Sequence, residues 1–374
     1  MKRADVRKRL SPELALLVSS CLGEPSSETP MPRILGDSGD RLLSLARWHN
    51  VRPALLADFR SSSDNWVTTL RQECLEITLS NLINTRETIR LVSLLQAEGI
   101  SAYGYKGCVW AEWLHGQQGD REYGDIDLLV GQKDYLRALG LISRVGYEAD
   151  PYRQYLLNGP VSVREAFLRT DYHVPMLRKE SGSSLEFVLE MHWRVAYPRL
   201  QFNFPESEWL EFKKEIYVQG KPISGFSNEY QFLLLIMHHG GKEEWLKLKY
   251  LSDLSSYLDR HGSETDWKLV EELAGRKGML TLMWQGLGLL RAMGKPWRVG
   301  WADVPPVPVN SALLNKWENM PRASENSSLS YFYNTLATRD TFEQKIGIGI
   351  SHFQYASELR LLYRKFLWYR EYSK

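Results

Sequence analysis

Tyr105-Lys106-Gly107 is followed, with 17 residues between Gly107 and Asp125, by Gly124-Asp125-Ile126-Asp127-Leu128-Leu129-Val130. A lysine and a glycine follow one short apolar run, and two aspartates open a second. Successive side chains of a strand point to opposite faces, so Asp125 and Asp127 share one face and Ile126 and Leu128 take the other. Two charges at the head of an apolar strand are costly unless a cation or a polar cleft receives them. Magnesium binds through one or two carboxylates together with substrate phosphates, so the pair suits metal–nucleotide chemistry.

Outward from that stretch, composition sets bounds. A chain of 374 residues, 43% hydrophobic and 25% charged, buries a sizeable core and is long for one domain. Forty-seven Lys and Arg against 45 Asp and Glu give a net charge of +2, which supplies no general electrostatic case for a nucleic-acid or membrane partner. Cys21, Cys74 and Cys108 are widely spaced and odd in number, which fits a reducing compartment rather than a disulfide framework or a zinc site. The basic start Met1-Lys2-Arg3 precedes an apolar run, Leu14 to Val18, too short for a signal core, so a cytoplasmic protein is expected. Phe232 to Met237 is far shorter than the roughly 20 residues that span a bilayer.

Residues 1–99 read as helical. A long helix is expected from Asp64 to about Ala97, with Leu75, Leu79, Leu82, Ile89, Val92 and Leu95 as the face that packs on the following sheet. Strands are expected at 100–105 and 125–130, helices at 108–115 and 132–144. After Gly146 the texture is β again, with 172–174 and 185–195 as a hairpin across Ser181-Gly182-Ser183. From Ser227 the chain is helical, interrupted by the proline-rich linker Trp301 to Pro308. The expected organisation is an N-terminal helical region (1–99), an α+β lobe (100–226) and a C-terminal helical domain (227–374).

Lys106-Gly107, Arg121 and Asp125-Ile126-Asp127-Leu128-Leu129-Val130, in that order, resemble the minimal nucleotidyltransferases of the DNA polymerase β-like superfamily, and most of all their uncharacterised nucleotidyltransferase family. Leu189-Glu190-Met191-His192-Trp193-Arg194 is similar to that family's acidic-x-His-Trp strand. Leu235-Ile236-Met237-His238-His239-Gly240, with Trp245, Leu248 and Asp253, is similar to its helical signature. The wider superfamily carries Gly-Ser or Gly-Gly at its first turn, where this chain has Lys106-Gly107.

The resemblance implies a Mg²⁺-dependent transfer of a nucleoside monophosphate from a nucleoside triphosphate, ATP foremost, to a hydroxyl or phosphate of a small acceptor such as a peptide natural product or a sugar. It implies a two-metal site of Asp125, Asp127 and Glu190, with Glu190 as ligand or as base. Lys106, Gly107, Arg121 and Lys242 are the candidates for gripping the triphosphate in place of the missing hydroxyl. Arg121 pairs with Asp125 or Glu122 in the plainer reading, while Asp253 points into the cleft, is solvated or pairs with Lys249. His192 and Trp193 order their strand, and one of His238 and His239 faces the core. Two other functions remain open: a glycosyltransferase that holds a nucleotide sugar through the D-x-D pair, and a retired fold that serves as a binding module.

Overall fold

The computed structural model describes residues 6–23, 37–180, 182, 184–295, 308–321 and 328–372. Residues 301–307 of the expected linker, and Ser181 and Ser183 of the expected turn, lie outside the described residues. The chain forms two compact units: Met1–Leu82 with Trp110–Tyr123 and Asn228–Asp340, and Ile83–Val109 with Gly124–Ser227 and Thr341–Lys374.

The first unit is helical. Helix Pro12–Leu22 begins with Ser11, whose side chain accepts from the Leu14 amide, and proline stands in its first turn. It ends at Gly23, whose φ of 63° lets the chain turn out of the helix. Its buried Leu14 and Leu17 pack toward helix Leu248–His261, which contributes Leu251 and Leu254. In helix Asn228–Ile236 every residue but Glu229 is buried, so its continuous apolar run needs no period.

The second unit carries a mixed seven-stranded sheet. Its strands are β1 (Ala102–Gly104), β2 (Ile126–Val130), β3 (Glu148–Ala149), β4 (His173–Lys179), β5 (Glu186–His192), β6 (Lys213–Val218) and β7 (Lys221–Phe226), in the order β3-β4-β5-β2-β1-β7-β6. The pairs β2–β5 and β1–β7 are parallel and the others antiparallel. All five residues of β2 are buried, as a central strand covered on both faces requires. Gly104 is where the sheet comes closest to its cover: a Cβ there would lie 2.4 Å from Val109 Cγ2 and 2.9 Å from Ile223 Cγ2.

Three expectations need correction. The long helix runs Asn65–Ala97, yet Leu75, Leu79 and Leu82 are 54%, 52% and 40% exposed. Its buried positions are Trp66, Val67, Leu70 and Cys74 in the first half, Asn81, Asn84, Thr85, Glu87 and Thr88 in the middle, and then Leu91 with the expected Val92 and Leu95. The polar members find partners that repay their burial: Asn81 Nδ2 donates to the Gln118 and Arg121 carbonyls, and Thr88 Oγ1 to the Asn84 carbonyl. Residues 151–170, read as β texture, form helices Pro151–Leu157 and Val161–Thr170, the first capped by Asp150 through the Arg153 amide. The β6–β7 hairpin was not expected; it turns at Gln219 and Gly220, whose φ values are 48° and 72°. Among the described residues no helix is long and apolar enough to cross a membrane.

Candidate active site

Strand pairing assembles the site in the second unit. In the parallel pair β2–β5, Asp127 is level with Glu190 and Leu129 with His192. In the antiparallel pair β4–β5, His173 is level with His192. Period two along β5 keeps Glu190 and His192 on one face, so Asp127, Glu190, His192 and His173 gather there while Leu189 and Met191 enter the core. Beyond β1, the Tyr105 amide donates to the Asp127 carbonyl. The next two residues, Lys106 and Gly107, both take left-handed backbone, at φ 65° and 44°. For Lys106 that conformation costs about 1–3 kcal/mol, and it is the residue whose side chain enters the cluster.

The distances are short. Lys106 Nζ lies 2.6 Å from Asp127 Oδ1 and 3.7 Å from Glu190 Oε2. His192 Nε2 meets the same two oxygens, at 3.0 Å and 3.3 Å. His173 Nε2 is 3.7 Å from the other oxygen of Glu190, and its ring stacks on His192 with centroids 5.2 Å apart. Burial pushes the Glu190 pKa up, but the hydrogen bond from His192 and the charges on Lys106, His192 and His173 outweigh it and hold the carboxyl well below the usual range. Burial likewise favours a neutral Lys106, and the fields of Asp127, Glu190, Tyr105 and Asp125 overcome it, so the ammonium persists far above the usual lysine value. The Glu190 side chain is 21% exposed while those of Asp127 and His192 are almost wholly enclosed, which makes Glu190 the solvent-facing carboxylate of the group.

Asp127, Glu190 and His192 place one potential ligand atom each within 4.8 Å of one another, the donor set and spacing of a divalent-cation site. Asp125 precedes β2 by one residue, is half-buried and acts on Lys106 through its field, but it is not part of that compact set. His192, assigned on sequence to ordering its strand, thus faces the carboxylates directly. The period-two pattern already put it on the Glu190 face.

Arg121 and Lys242 belong to the first unit. Arg121 Nε is 3.0 and 3.2 Å from the two oxygens of Asp253, and its Nη2 is 3.0 Å from one of them. Asp253 also accepts from His115 at 3.1 Å and His239 at 2.9 Å, with Arg121, His239 and Asp253 buried and His115 half-buried. Burial raises the Asp253 pKa, yet Arg121, His115 and His239 hold it well below the usual carboxylate range. Both histidines sit in π-helical turns, Ala111–His115 and Met237–Lys242, whose widened backbone aims them at one carboxylate. Asp253 is therefore neither solvated nor the partner of Lys249, which donates to the Glu122 carbonyl. Lys242 Nζ lies 3.8 Å from Glu243. The cysteine thiols are buried, and burial pushes those of Cys74 and Cys108 up to about 12, which removes them as nucleophiles.

No curated protein and no solved structure gives a significant match to the chain. The family model of the uncharacterised nucleotidyltransferases does match, over residues 37–295, which takes in the sheet, the Asp127–Glu190–His192 cluster and the Asp253 network, and the chain belongs to that family.

Proposed function

We propose that this protein is a Mg²⁺-dependent nucleotidyltransferase that moves a nucleoside monophosphate from a nucleoside triphosphate, ATP foremost, to a hydroxyl or phosphate of a small acceptor. The observation that carries the reading is the level pairing of Asp127 with Glu190 across β2 and β5, with Lys106 on both carboxylates. Membership of a nucleotidyltransferase family supplies the reaction class.

Asp125 and Asp127 are the residues for a cation on the triphosphate, and Glu190 with Asp127 for a second. Bound there, such ions neutralise the charge that builds at the α-phosphorus and its leaving oxygen. The rest is the work of the chain. Lys106 shares Asp127 Oδ1 with any cation on that oxygen, and phosphate oxygens are the alternative acceptors for its three donors. Gly107 opens the turn with no side chain to obstruct a phosphate. The acceptor hydroxyl's oxygen attacks the α-phosphorus, its proton passing to Glu190 where that carboxylate serves as base rather than as ligand, and pyrophosphate leaves. Arg121 is set aside, because its guanidinium is already engaged by Asp253. The near-neutral net charge supports a small peptide or sugar acceptor over a nucleic acid.

The test is incubation with each of four labelled triphosphates and Mg²⁺, with and without cell extract, followed by mass detection of a nucleotidylated product. Transfer that survives Asp125→Asn with Asp127→Asn sinks the metal assignment. Binding of nucleotide sugars in preference to triphosphates replaces the reading with glycosyl transfer, and no Mg²⁺-dependent triphosphate binding replaces it with a binding module.

A further inference from the structure

The His192 ring is completely enclosed and is positioned by other rings. It stacks on His173, meets Tyr105 edge-on at 5.6 Å and lies 5.5 Å from Tyr172. Its Nδ1 has no hydrogen-bond partner among the described residues. With its proton on Nδ1 the ring presents the Nε2 lone pair as a ligand. Here the polar capacity of the ring is concentrated in Nε2, and Nε2 is turned to Asp127 Oδ1 and Glu190 Oε2. The separations of 3.0 and 3.3 Å match those between neighbouring ligands on an octahedral ion held at about 2.1 Å.

We infer that His192 is itself a metal ligand through Nε2, and that this imidazole gives the centre a preference for a first-row transition ion such as Mn²⁺ over Mg²⁺. The inference rests on the cation site proposed above and changes what that site selects. Magnesium takes oxygen donors almost exclusively, whereas imidazole raises the affinity of a site for Mn²⁺, Co²⁺ and Zn²⁺. A set of two carboxylates and one imidazole therefore discriminates where a purely carboxylate set does so weakly. The enclosed ring and the partly exposed Glu190 also place the selective donor at the back of the site and the oxygen donor at its mouth.

The experiment measures Mn²⁺ binding by the loss of the free-ion paramagnetic resonance signal, with Mg²⁺ as competitor, on the full chain as wild type, His192→Gln and Asp127→Asn. The expected result is that His192→Gln weakens Mn²⁺ about tenfold or more and leaves Mg²⁺ within about twofold, so the Mn²⁺/Mg²⁺ ratio collapses. The visible bands of bound Co²⁺ shift at the same time, because a nitrogen donor is exchanged for an oxygen. Should His192→Gln fail to fold by circular dichroism, His192→Asn serves in its place, and the wild-type Co²⁺ spectrum reports nitrogen ligation without any variant. An unchanged ratio with unchanged Co²⁺ bands makes His192 a positioning residue for Asp127 and overturns the inference alone. Wild-type protein that binds neither ion more tightly than Asp127→Asn overturns the cation site as well.

Discussion

Arg121 and Asp253, 132 residues apart in sequence, form a buried ion pair in which guanidinium nitrogens reach both carboxylate oxygens. Its removal is expensive because the surviving charge stays in the interior. Asp253→Asn leaves Arg121 without a counter-charge and is expected to cost about 3–5 kcal/mol of unfolding free energy in urea. The folded Asp253 pKa is depressed, so its contribution is full above the unfolded value near 4 and is lost as pH falls below it.

His49 gives the first unit a second, milder acid sensitivity. Its Nδ1 accepts from the Leu248 amide, at the start of a helix that has no side-chain cap, and Nε2 lies 3.1 Å from the Trp317 carbonyl. Burial pushes its pKa down to about 3. The unfolded chain takes up this proton near pH 6.5 and the folded chain does not, so stability rises with pH between about 3 and 6.5. Between pH 7 and pH 5 the wild type should lose on the order of 2 kcal/mol more than His49→Gln, measured by urea titration at both values.

Lys106 separates nucleotide grip from chemistry. Lys106→Met keeps the aliphatic stem but removes the charge, and it should weaken triphosphate binding about tenfold or more, read by calorimetry. Asp127→Asn should instead abolish turnover. Equal triphosphate affinity in wild type and Lys106→Met would refute the phosphate role.

Gly104 has no room for a methyl group. Gly104→Ala drives a Cβ into Val109 and Ile223 and should cost about 1–3 kcal/mol by thermal or urea unfolding.

The helix Asn65–Ala97 supplies a paired test of which face is buried. Leu79→Gln, on the exposed stripe, should change stability by less than about 0.5 kcal/mol, whereas Leu91→Ala should cost about 2–5 kcal/mol.

That helix also shows how far the sequence could be read. Its length was legible, but its apolar spacing pointed to Leu75, Leu79 and Leu82, because hydrogen bonds available to Asn81 and Thr88 are invisible until their partners are placed. Strands β2 and β5 were legible from their alternation, and so were the faces of Asp127 and Glu190. Which residues stand level across the pair, and hence that His192 meets Asp127, depends on strand order and direction, which local pattern does not carry. Two local signals do stand in the sequence: Asp150-Pro151, a helix start, and Gln219-Gly220, a tight hairpin turn. The Asp253 network lay beyond reach because it joins three distant segments through two π-helical turns.

The level pairing of Asp127 with Glu190 makes the chemistry indifferent to distance along the chain but intolerant of phase. The connections between β2 and β4 and between β4 and β5 can lengthen or shorten while the two carboxylates keep their places. One residue inserted between Glu186 and Glu190 turns the third carboxylate toward the opposite face and brings an apolar neighbour to the cluster. Such a chain would keep its strand order and its motif and still have lost the cluster.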